Sequence, residues 1–495
     1  MNCETTFSML SQSKSKKTNV VISKGNTPKE SLLKGIEKLG GISNYISKDD
    51  QVFIKFNLNL PGGFPTNTNY DVLEALIIAC KEAGADKIYL GSFPIKGIPI
   101  KIISDLLNLK EYFETLGAEL IFLDNSDLFE DKNIDQDQLK KIKYESLSKV
   151  IINDNEFFIP KLILNSNKFI SVNQINVNPL FKLNLALLNL YSILPPKYQA
   201  VGKNIGENIS LDQYKKNLIS NILDIYAIKQ PDLIINDLFY ILEDAGPYIY
   251  KDSKIKKTRL MVLGDDTIAV DMITLKILNI EINSSELISG IQNKNIDSPQ
   301  FSNIKILGEK VEDTQIDIGL CVSELEDIKT KNFIINSGKK CSGCFKQAYH
   351  LLNFMKSYMG KDLKYNINNS FLIGERPPEP NKAKNYFIFG DCAINTTKNY
   401  DFRTAIIESK KDLITGAKNK ILKKSKSKKK ATIKRKSNKN ILELHGCPPN
   451  IVNCLELILK YFGKKNLPNL NLMTNVNEYW MTDQLKNKLK LWEEL

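Results

Sequence analysis

The stretch that decides the fold of the first half of the chain is residues 51–90, QVFIKFNLNLPGGFPTNTNYDVLEALIIACKEAGADKIYL. It begins with a short apolar run, Gln51–Phe56, which is typical of a buried strand. An amphipathic segment, Tyr70–Ala83, predicts a helix, and a second apolar run, Lys87–Leu90, predicts the next strand. Strand, helix and strand in this order form a right-handed crossover between parallel strands. We therefore expect a largely parallel sheet with helices on both faces.

The same alternation continues on both sides of this stretch, as far as about residue 280. The further predicted strands are Asn19–Ile22, Glu119–Leu123, Lys168–Val172, Leu233–Ile235 and Arg259–Leu263, and the further helices are Lys29–Leu39, Ile98–Leu107, Leu211–Ala227 and Thr267–Leu278. The expected fold class is α/β, with a smaller second α/β domain at the C-terminus. We predict a polar tail at 1–17, the first domain at 18–285, a connecting region at 286–330 and the second domain at 331–495.

Composition places the chain among soluble globular proteins, with 42% hydrophobic and 25% charged residues over 495 positions. No stretch approaches the roughly 20 apolar residues that cross a bilayer. The first residues lack the apolar core of a secretory signal. Eight cysteines in a chain of this size do not make a disulfide framework, so a cytoplasmic location is expected.

The formal net charge of +13 comes almost entirely from one segment. Between Lys418 and Lys439 there are 12 Lys or Arg residues and no acid, and removing these 12 charges leaves +1 for the rest. We predict that 418–440 is a disordered, solvated insertion. Weak contact with nucleic acid, anionic lipid or an acidic partner stays open, although no aromatic residue interleaves the run to stack on bases.

Four cysteines in the last third are spaced like ligands of one metal centre. Cys341 and Cys344 form a CSGC pair, Cys392 follows after 47 residues in GDCA, and Cys447 after another 54 in HGCPPN. The predicted strands that precede them are Phe333–Asn336, Asn385–Phe389 and Ile441–Leu444. Because parallel strands bind ligands at their carboxyl ends, these thiols are expected at one sheet edge. Four thiolates suit a 4Fe–4S cluster, while structural zinc or unliganded buried cysteines remain alternatives.

The pattern CxGC, GxC and GCPP is similar to that of the nickel–iron hydrogenase small subunit and its relative in respiratory complex I. This resemblance implies that Cys341, Cys344, Cys392 and Cys447 hold a 4Fe–4S cluster on a flavodoxin-like domain.

The stretch from about residue 19 to 280 resembles the domain of unknown function family 362. The segments that carry the resemblance are DDQVFIKFNLN, TNTNYDVLEALIIACKEAGADKIYLGS, KQPDLIINDLFYILEDAGP and LMVLGDDTIAVDMITLKIL. The resemblance implies a cytoplasmic α/β domain, often joined to iron–sulfur modules, with no settled reaction. Asn173, Gln174 and Leu188 stand where the family usually has basic residues, although Asn189 remains. The aspartate of the family's Gly-Asp-Ser-Pro turn is also absent from residues 91–94, so a site that needs those groups would be impaired.

Three groups of polar residues in this first domain are candidate ligand contacts. Lys55 and Asn57 end a strand, where a cation and an amide can hold an anion. Thr66, Thr68 and Asn69 precede a helix, whose first amides can bind phosphate or carboxylate, or which these side chains simply cap. Four aspartates are candidates for metal or substrate contact: Asp237, Asp244, Asp265 and Asp271. Helix capping is the alternative for Asp265.

These observations predict an iron–sulfur redox protein. One 4Fe–4S cluster would exchange electrons with a substrate or a partner protein at the first domain, as an oxidoreductase or an electron-transfer subunit. The alternative is a non-redox enzyme or binding protein for a small anionic molecule, with four-cysteine structural zinc. A protein that passes its cluster to another protein is a third possibility.

Overall fold

The computed structural model describes residues 5–6, 18–59, 64–93, 100–121, 147–153, 155–194, 211–294, 296, 298–359, 368–381, 383–403 and 440–463. The chain divides into two compact units, with the main boundary between Cys321 and Val322. The lysine-rich run at 418–439 lies outside the described residues, as does most of the predicted polar tail at 1–17.

The first unit contains strands β1 to β13. Their bounds are β1 Thr5–Thr6, β2 Thr18–Lys24, β3 Gln51–Lys55, β4 Lys87–Gly91, β5 Glu119–Leu120, β6 Leu147–Ile152, β7 Asn155–Pro160, β8 Lys168–Asn178, β9 Lys182–Leu183, β10 Leu233–Glu243, β11 Lys254–Lys257, β12 Leu260–Gly264 and β13 Ile304–Gly308. The central sheet has the order β13-β2-β12-β10-β8-β3-β4-β5, with β11 paired to β10 and β9 to β8. Strands β10, β8, β3, β4 and β5 are mutually parallel, which confirms the predicted mostly parallel sheet.

Helices cover this sheet between its strands. They are α1 Pro28–Lys38, α2 Tyr70–Glu82, α3 Ile100–Leu107, α4 Leu109–Thr115, α5 Lys161–Asn165, α6 Ala186–Leu190, α7 Leu211–Ile228, α8 Thr267–Ile277 and α9 Glu286–Asn293. One continuous core joins alternate strand residues such as Ile54, Val172 and Ile235 to Leu73 of α2 and Leu32 of α1. A fully buried aliphatic side chain of this kind contributes about 1.5–3 kcal/mol of burial free energy.

The order of the strands reverses beside β3. The chain moves from β3 to β4 and β5 on one side, then returns to place β8 and β10 on the other. In open α/β sheets such a reversal leaves a crevice outside the carboxyl ends of the two strands that flank it, here β3 and β8. The crevice forms because the connections that leave these two strands run to opposite sides of the sheet. Residues at the ends of β3 and β8 are therefore placed around the crevice.

Two features of the first unit differ from the prediction. Residues 286–321, predicted as a connecting region, group with the first unit, because β13 pairs in parallel with β2. The predicted strands Lys168–Val172 and Leu233–Ile235 each continue to 11 residues as β8 and β10, through buried polar positions.

The second unit has a four-stranded parallel sheet in the order β14-β15-β16-β17. The strands are β14 Phe333–Ser337, β15 Asn369–Ile373, β16 Asn385–Phe389 and β17 Ile441–Leu444, and the helices are α10 Ser342–Tyr358, α11 Asp391–Thr396 and α12 Ile451–Tyr461. Three of the strands match the prediction, and β15 was not predicted. The described strands follow one another without the reversal of a flavodoxin-like sheet, whose order is 2-1-3-4-5.

None of the helices in the described ranges is both long and apolar enough to cross a membrane.

Candidate functional site

The four predicted cysteine ligands lie at the carboxyl edge of the second unit's sheet, on three loops. Cys341 is the N-cap residue of α10, directly before Ser342, and Cys344 lies in the first turn of that helix. Cys392 lies in the first turn of α11, directly after β16. Cys447 lies in the turn between β17 and α12 and is exposed. Sequence position and strand register thus bring each cysteine to the same edge.

Backbone hydrogen bonds join the loops of Cys392 and Cys447. The Gly390 amide donates to the Leu444 carbonyl at 2.9 Å, and the Asp391 amide donates to the Gly446 carbonyl at 3.2 Å. The Gly446 amide donates in return to Asp391 Oδ1 at 3.1 Å. These reciprocal bonds hold the two cysteine loops in a fixed relation.

The first turn of α10 packs against both of these loops. A Cβ atom added to Gly390 would stand 3.3 Å from Cys344 Sγ, and one added to Gly343 would stand 3.2 Å from Pro448 Cγ. Gly390 also has φ of +89°, a conformation that favours glycine. The chain therefore needs glycine beside these cysteines for the three loops to approach one another.

The electrostatics of the thiols follow from this approach. A hydrogen bond from the Cys344 thiol and backbone amides at the start of α10 lower the pKa of Cys341. The same thiol bond, together with burial and the charges of the other three cysteines, raises the pKa of Cys344. Burial, then the charges of Cys447 and Cys341, raise the pKa of Cys392. Each of the four thiols thus lies within electrostatic range of at least two others.

Four thiols on three packed loops are the donor set that a 4Fe–4S cluster or a structural zinc ion uses, so the residues suit either group in their chemistry. Over the described residues, however, no three His, Cys, Asp or Glu side chains are already placed to hold one metal ion. His445, next to Cys447, lies 3.5 Å from Asp391 Oδ1 through Nδ1 and 3.4 Å from Glu443 Oε2 through Nε2.

The remaining described cysteines are Cys80 and Cys321 in the first unit and Cys454 in α12 of the second. Cys80 and Cys454 are buried in helices, where burial raises the pKa of each to about 12, and both agree with the predicted core role. Cys321, also predicted to be core, is half-buried outside any strand, 3.9 Å from the Gly246 carbonyl oxygen.

In the first unit, Lys55 lies at the carboxyl end of β3, next to the crevice, and is completely buried. Its Nζ donates to Asn189 Oδ1 and to the Phe56 carbonyl at 3.5 Å. Asn57 Nδ2 donates to the same Asn189 oxygen at 3.0 Å. Burial lowers the pKa of Lys55 well below its usual value, and within the described ranges no carboxylate forms an ion pair with it. The structure thus places Asn189 against Lys55 and Asn57, the pair that the sequence predicts as anion contacts; the sequence indicates Asn189 only through the family resemblance.

From Asn189 a chain of amides leads to Asp271. Asn189 Nδ2 donates to Asn173 Oδ1, Asn173 Nδ2 to Asn236 Oδ1 at 2.9 Å, and Asn236 Nδ2 to Asp271 Oδ1 at 3.0 Å. Every donor points toward the carboxylate, so the bonds polarise one another in one direction. Asp271 also accepts the first two amides of α6, at 2.9 Å each, and thereby orients the helix that carries Asn189.

Burial raises the pKa of Asp271 to about 6. The sequence did not identify Asn236 or assign Asn173 to this site. Both are amides at buried positions of the long strands β8 and β10, and that pattern was the available signal.

The remaining candidates have local roles. Thr68 Oγ1 accepts the Asn57 amide at 2.8 Å, and the Thr66 carbonyl accepts from Asn59 Nδ2 at 2.8 Å, so both hold the segment after β3. Asn69 caps α2 through the Asp71 amide at 2.9 Å, in agreement with the predicted capping alternative.

Asp265 is not brought to the crevice. It is exposed and follows β12 at the edge where β10 begins, because β12 is antiparallel to β10. Its neighbour Asp266 caps α8 through the Ala269 amide at 2.8 Å. Asp244 forms an ion pair with Lys254 at 2.9 Å.

Asp237 lies on the other face of the sheet from Lys55 and is completely buried. Burial, with a smaller contribution from the charge of Asp71, raises the pKa of Asp237 to about 7, against one backbone hydrogen bond that lowers it.

The first unit is thus an α/β domain with a buried polar network, from Lys55 to Asp271, beside the point where the strand order reverses. Residues 52–276 match the model of a family described as a domain of unknown function, DUF362. This match supports the predicted resemblance over the first unit and spans Lys55, the amide chain and Asp271. The four cysteines at the second sheet edge lie beyond its end. A comparison with curated proteins found no match to the chain.

Proposed function

We propose that the second unit binds one 4Fe–4S cluster through Cys341, Cys344, Cys392 and Cys447, and that the protein transfers electrons through it. The observation that carries this proposal is the packing of the first turn of α10, with its two thiols, against the interlocked loops of the other two cysteines. The cluster would accept and release one electron at a time.

Several residues of the chain would adjust the site around such a cluster. Backbone amides at the start of α10 are directed to Cys341 and favour its thiolate form. Gly390 leaves room beside the Cys344 sulfur atom, and Gly343 leaves room for Pro448 next to Cys447. A redox partner protein or a substrate would use the first unit, whose crevice holds an ionisable lysine. Free thiols in the described residues suit a reducing, cytoplasmic location.

The experiment is metal and sulfide analysis of the full chain after anaerobic purification, with absorption and EPR spectra before and after dithionite. About four irons and four sulfides per chain, with an absorption band that bleaches on reduction, would support the proposal. One zinc without iron would overturn it.

Cys392→Ser tests the ligand set, and Cys454→Ala is its matched control in the same unit. We expect Cys392→Ser to lose iron, colour and the EPR signal together. Cys454→Ala should keep all three, since Cys454 is buried within α12 and is not one of the proposed ligands. Equal iron content in both variants would contradict the assignment of Cys392.

A second candidate function is binding of a small anion at the crevice, with structural zinc at the cysteines. The completely buried Lys55, without a carboxylate partner in the described ranges, favours this candidate. Phosphate or a small carboxylate should then bind the wild type and not Lys55→Met. The control is Lys29→Met, an exposed lysine of α1. Equal binding by Lys55→Met would exclude this candidate.

A further inference from the structure

Asp237 and Gln174 form a second buried polar cluster in the first unit, separate from Lys55. Alternate residues of a strand point to the same face, so Val172 and Gln174 of β8 share a face, as do Ile235 and Asp237 of β10. Gln174 and Asp237 are direct partners in the parallel register. An amide and a carboxyl group therefore lie side by side within the apolar rows of the two strands.

Each of these two side chains has one acceptor oxygen without a hydrogen-bond partner in the described part of the chain. Asp237 is 0% exposed and Gln174 is 1% exposed. Asp237 Oδ1 accepts the Phe239 amide at 2.9 Å, and Oδ2 is the oxygen that remains. Gln174 Nε2 donates to the carbonyls of Tyr240 at 2.8 Å and Asp237 at 3.5 Å, so the orientation of the amide is fixed and Oε1 remains.

Unpaired buried acceptors are costly, because each has lost its water without gaining a donor. Two of them next to each other favour a positive charge between them, either a proton on the carboxyl group or a bound metal cation.

A second carboxylate contributes to the same place. Asp71 lies half-buried in the first turn of α2, which packs on this face of the sheet. Its negative charge contributes to the raised pKa of both Asp237 and Tyr240. The Asp71 carboxylate is therefore within electrostatic range of both side chains. Two carboxylates and an amide oxygen are hard oxygen ligands, and Mg²⁺ commonly uses one or two carboxylates while keeping several waters.

We propose that Asp237, Gln174 and Asp71 bind a divalent cation of the Mg²⁺ class beside the middle of β8 and β10, where Gln174 and Asp237 pair. Asp237 Oδ2 and Gln174 Oε1 supply the buried ligands, and Asp71 supplies a carboxylate from the more exposed side. This site uses none of the cysteines and does not depend on the proposed cluster.

The experiment is titration of the EDTA-treated full chain with Mn²⁺, followed by the loss of the EPR signal of free Mn²⁺, with Mg²⁺ as competitor. Mn²⁺ is the probe because it prefers carboxylate and carbonyl ligands to thiolates. We expect one site per chain that Mg²⁺ displaces. Asp237→Asn should weaken Mn²⁺ binding at least about tenfold, since loss of a direct ligand costs no less than loss of an outer-shell partner.

The matched control is Asp265→Asn, an exposed aspartate at the edge of the same sheet where β10 begins, which should bind Mn²⁺ like the wild type. In EDTA, Asp237→Asn should unfold at a temperature no lower than the wild type, because it removes a buried carboxylate and keeps an oxygen for the Phe239 amide. Asp71→Asn, on a half-buried helix position, provides a second variant and should also weaken binding. No Mn²⁺ binding by the wild type, or equal binding by Asp237→Asn and Asp71→Asn, would overturn the proposal.

Discussion

Lys55 is an ionisable side chain that the fold buries completely, and its hydrogen-bond acceptors in the described part of the chain are neutral oxygens. Its pKa in the folded protein lies well below that of an unfolded lysine, about 10.4. Between these two values the unfolded chain binds a proton and the folded chain does not. The free energy of unfolding must therefore fall as the pH decreases from about 10 toward the folded pKa.

We expect Lys55→Met to raise the free energy of unfolding at pH 7 and to remove this part of its pH dependence. The slope that disappears should approach about 1.4 kcal/mol per pH unit, which corresponds to one proton. Urea unfolding of wild type and variant between pH 7 and 10 measures the difference. Lys29→Met, at an exposed position, should leave the slope unchanged. A Lys55→Met curve parallel to the wild type would show that Lys55 is charged in the folded state.

Gly390 has to satisfy two constraints, a positive φ and the proximity of Cys344 Sγ, whereas Gly463 satisfies only the first. Gly463 has φ of +75° and nothing within 4 Å of an added Cβ. Alanine at either position should cost about 1 kcal/mol of stability for the left-handed backbone. Only Gly390→Ala should also lower the metal content per chain, because its Cβ would displace the Cys344 thiol. Equal metal content in the two variants, measured by elemental analysis, would contradict this role of Gly390.

At the scale of elements, α8 shows how one of two neighbouring aspartates defines a helix start. Asp266 accepts the Ala269 amide, while Asp265 is exposed and makes no cap. Asp266→Ala should therefore destabilise the first unit by about 1 kcal/mol. Asp265→Ala should change stability by less than about 0.5 kcal/mol, as is usual at exposed positions. Urea unfolding of both variants provides the comparison, and equal losses would contradict the cap assignment.

The sequence predicts that most of the strands and helices exist, but it does not predict how long the strands β8 and β10 are. The apolar centres of β3, β8 and β10 identify them as strands through local composition alone. Their polar continuations remain extended because the partners come from far along the chain: Gln174 donates its backbone amide to Asn57, and Asn173 its side-chain amide to Asn236. Strand β13 was missed for the same reason, since its partner β2 lies about 280 residues earlier. Local patterns contain no information on such pairings.

The candidate sites, too, have features that the sequence predicts and features that it does not. The positions of Cys341, Cys392 and Cys447 at one edge could be predicted, because each follows a predicted parallel strand. The packing that brings Cys344 against Gly390 could not, since it depends on the loops after those strands. The grouping of Asp265 with the other aspartates was not realised because the sequence does not reveal that β12 is antiparallel.

At the scale of the whole molecule, each unit has a core of its own. The core of the first unit joins its sheet to α1 and α2, and a separate cluster in the second unit contains Leu372, Ile388 and Ile394. A unit with a hydrophobic core of its own is able to unfold as its own cooperative transition. We therefore expect two transitions in calorimetry of the full chain.

Variants should assign these two transitions. Asp266→Ala should lower one midpoint by a few degrees, since about 1 kcal/mol shifts a domain of 150–250 residues by roughly 2–4 °C. Cys392→Ser should lower the other midpoint and leave the first unchanged, because a metal that binds only the folded second unit stabilises that unit alone. A single transition shifted by both variants would instead show that the two units fold as one cooperative structure, and the metal would then stabilise the whole chain.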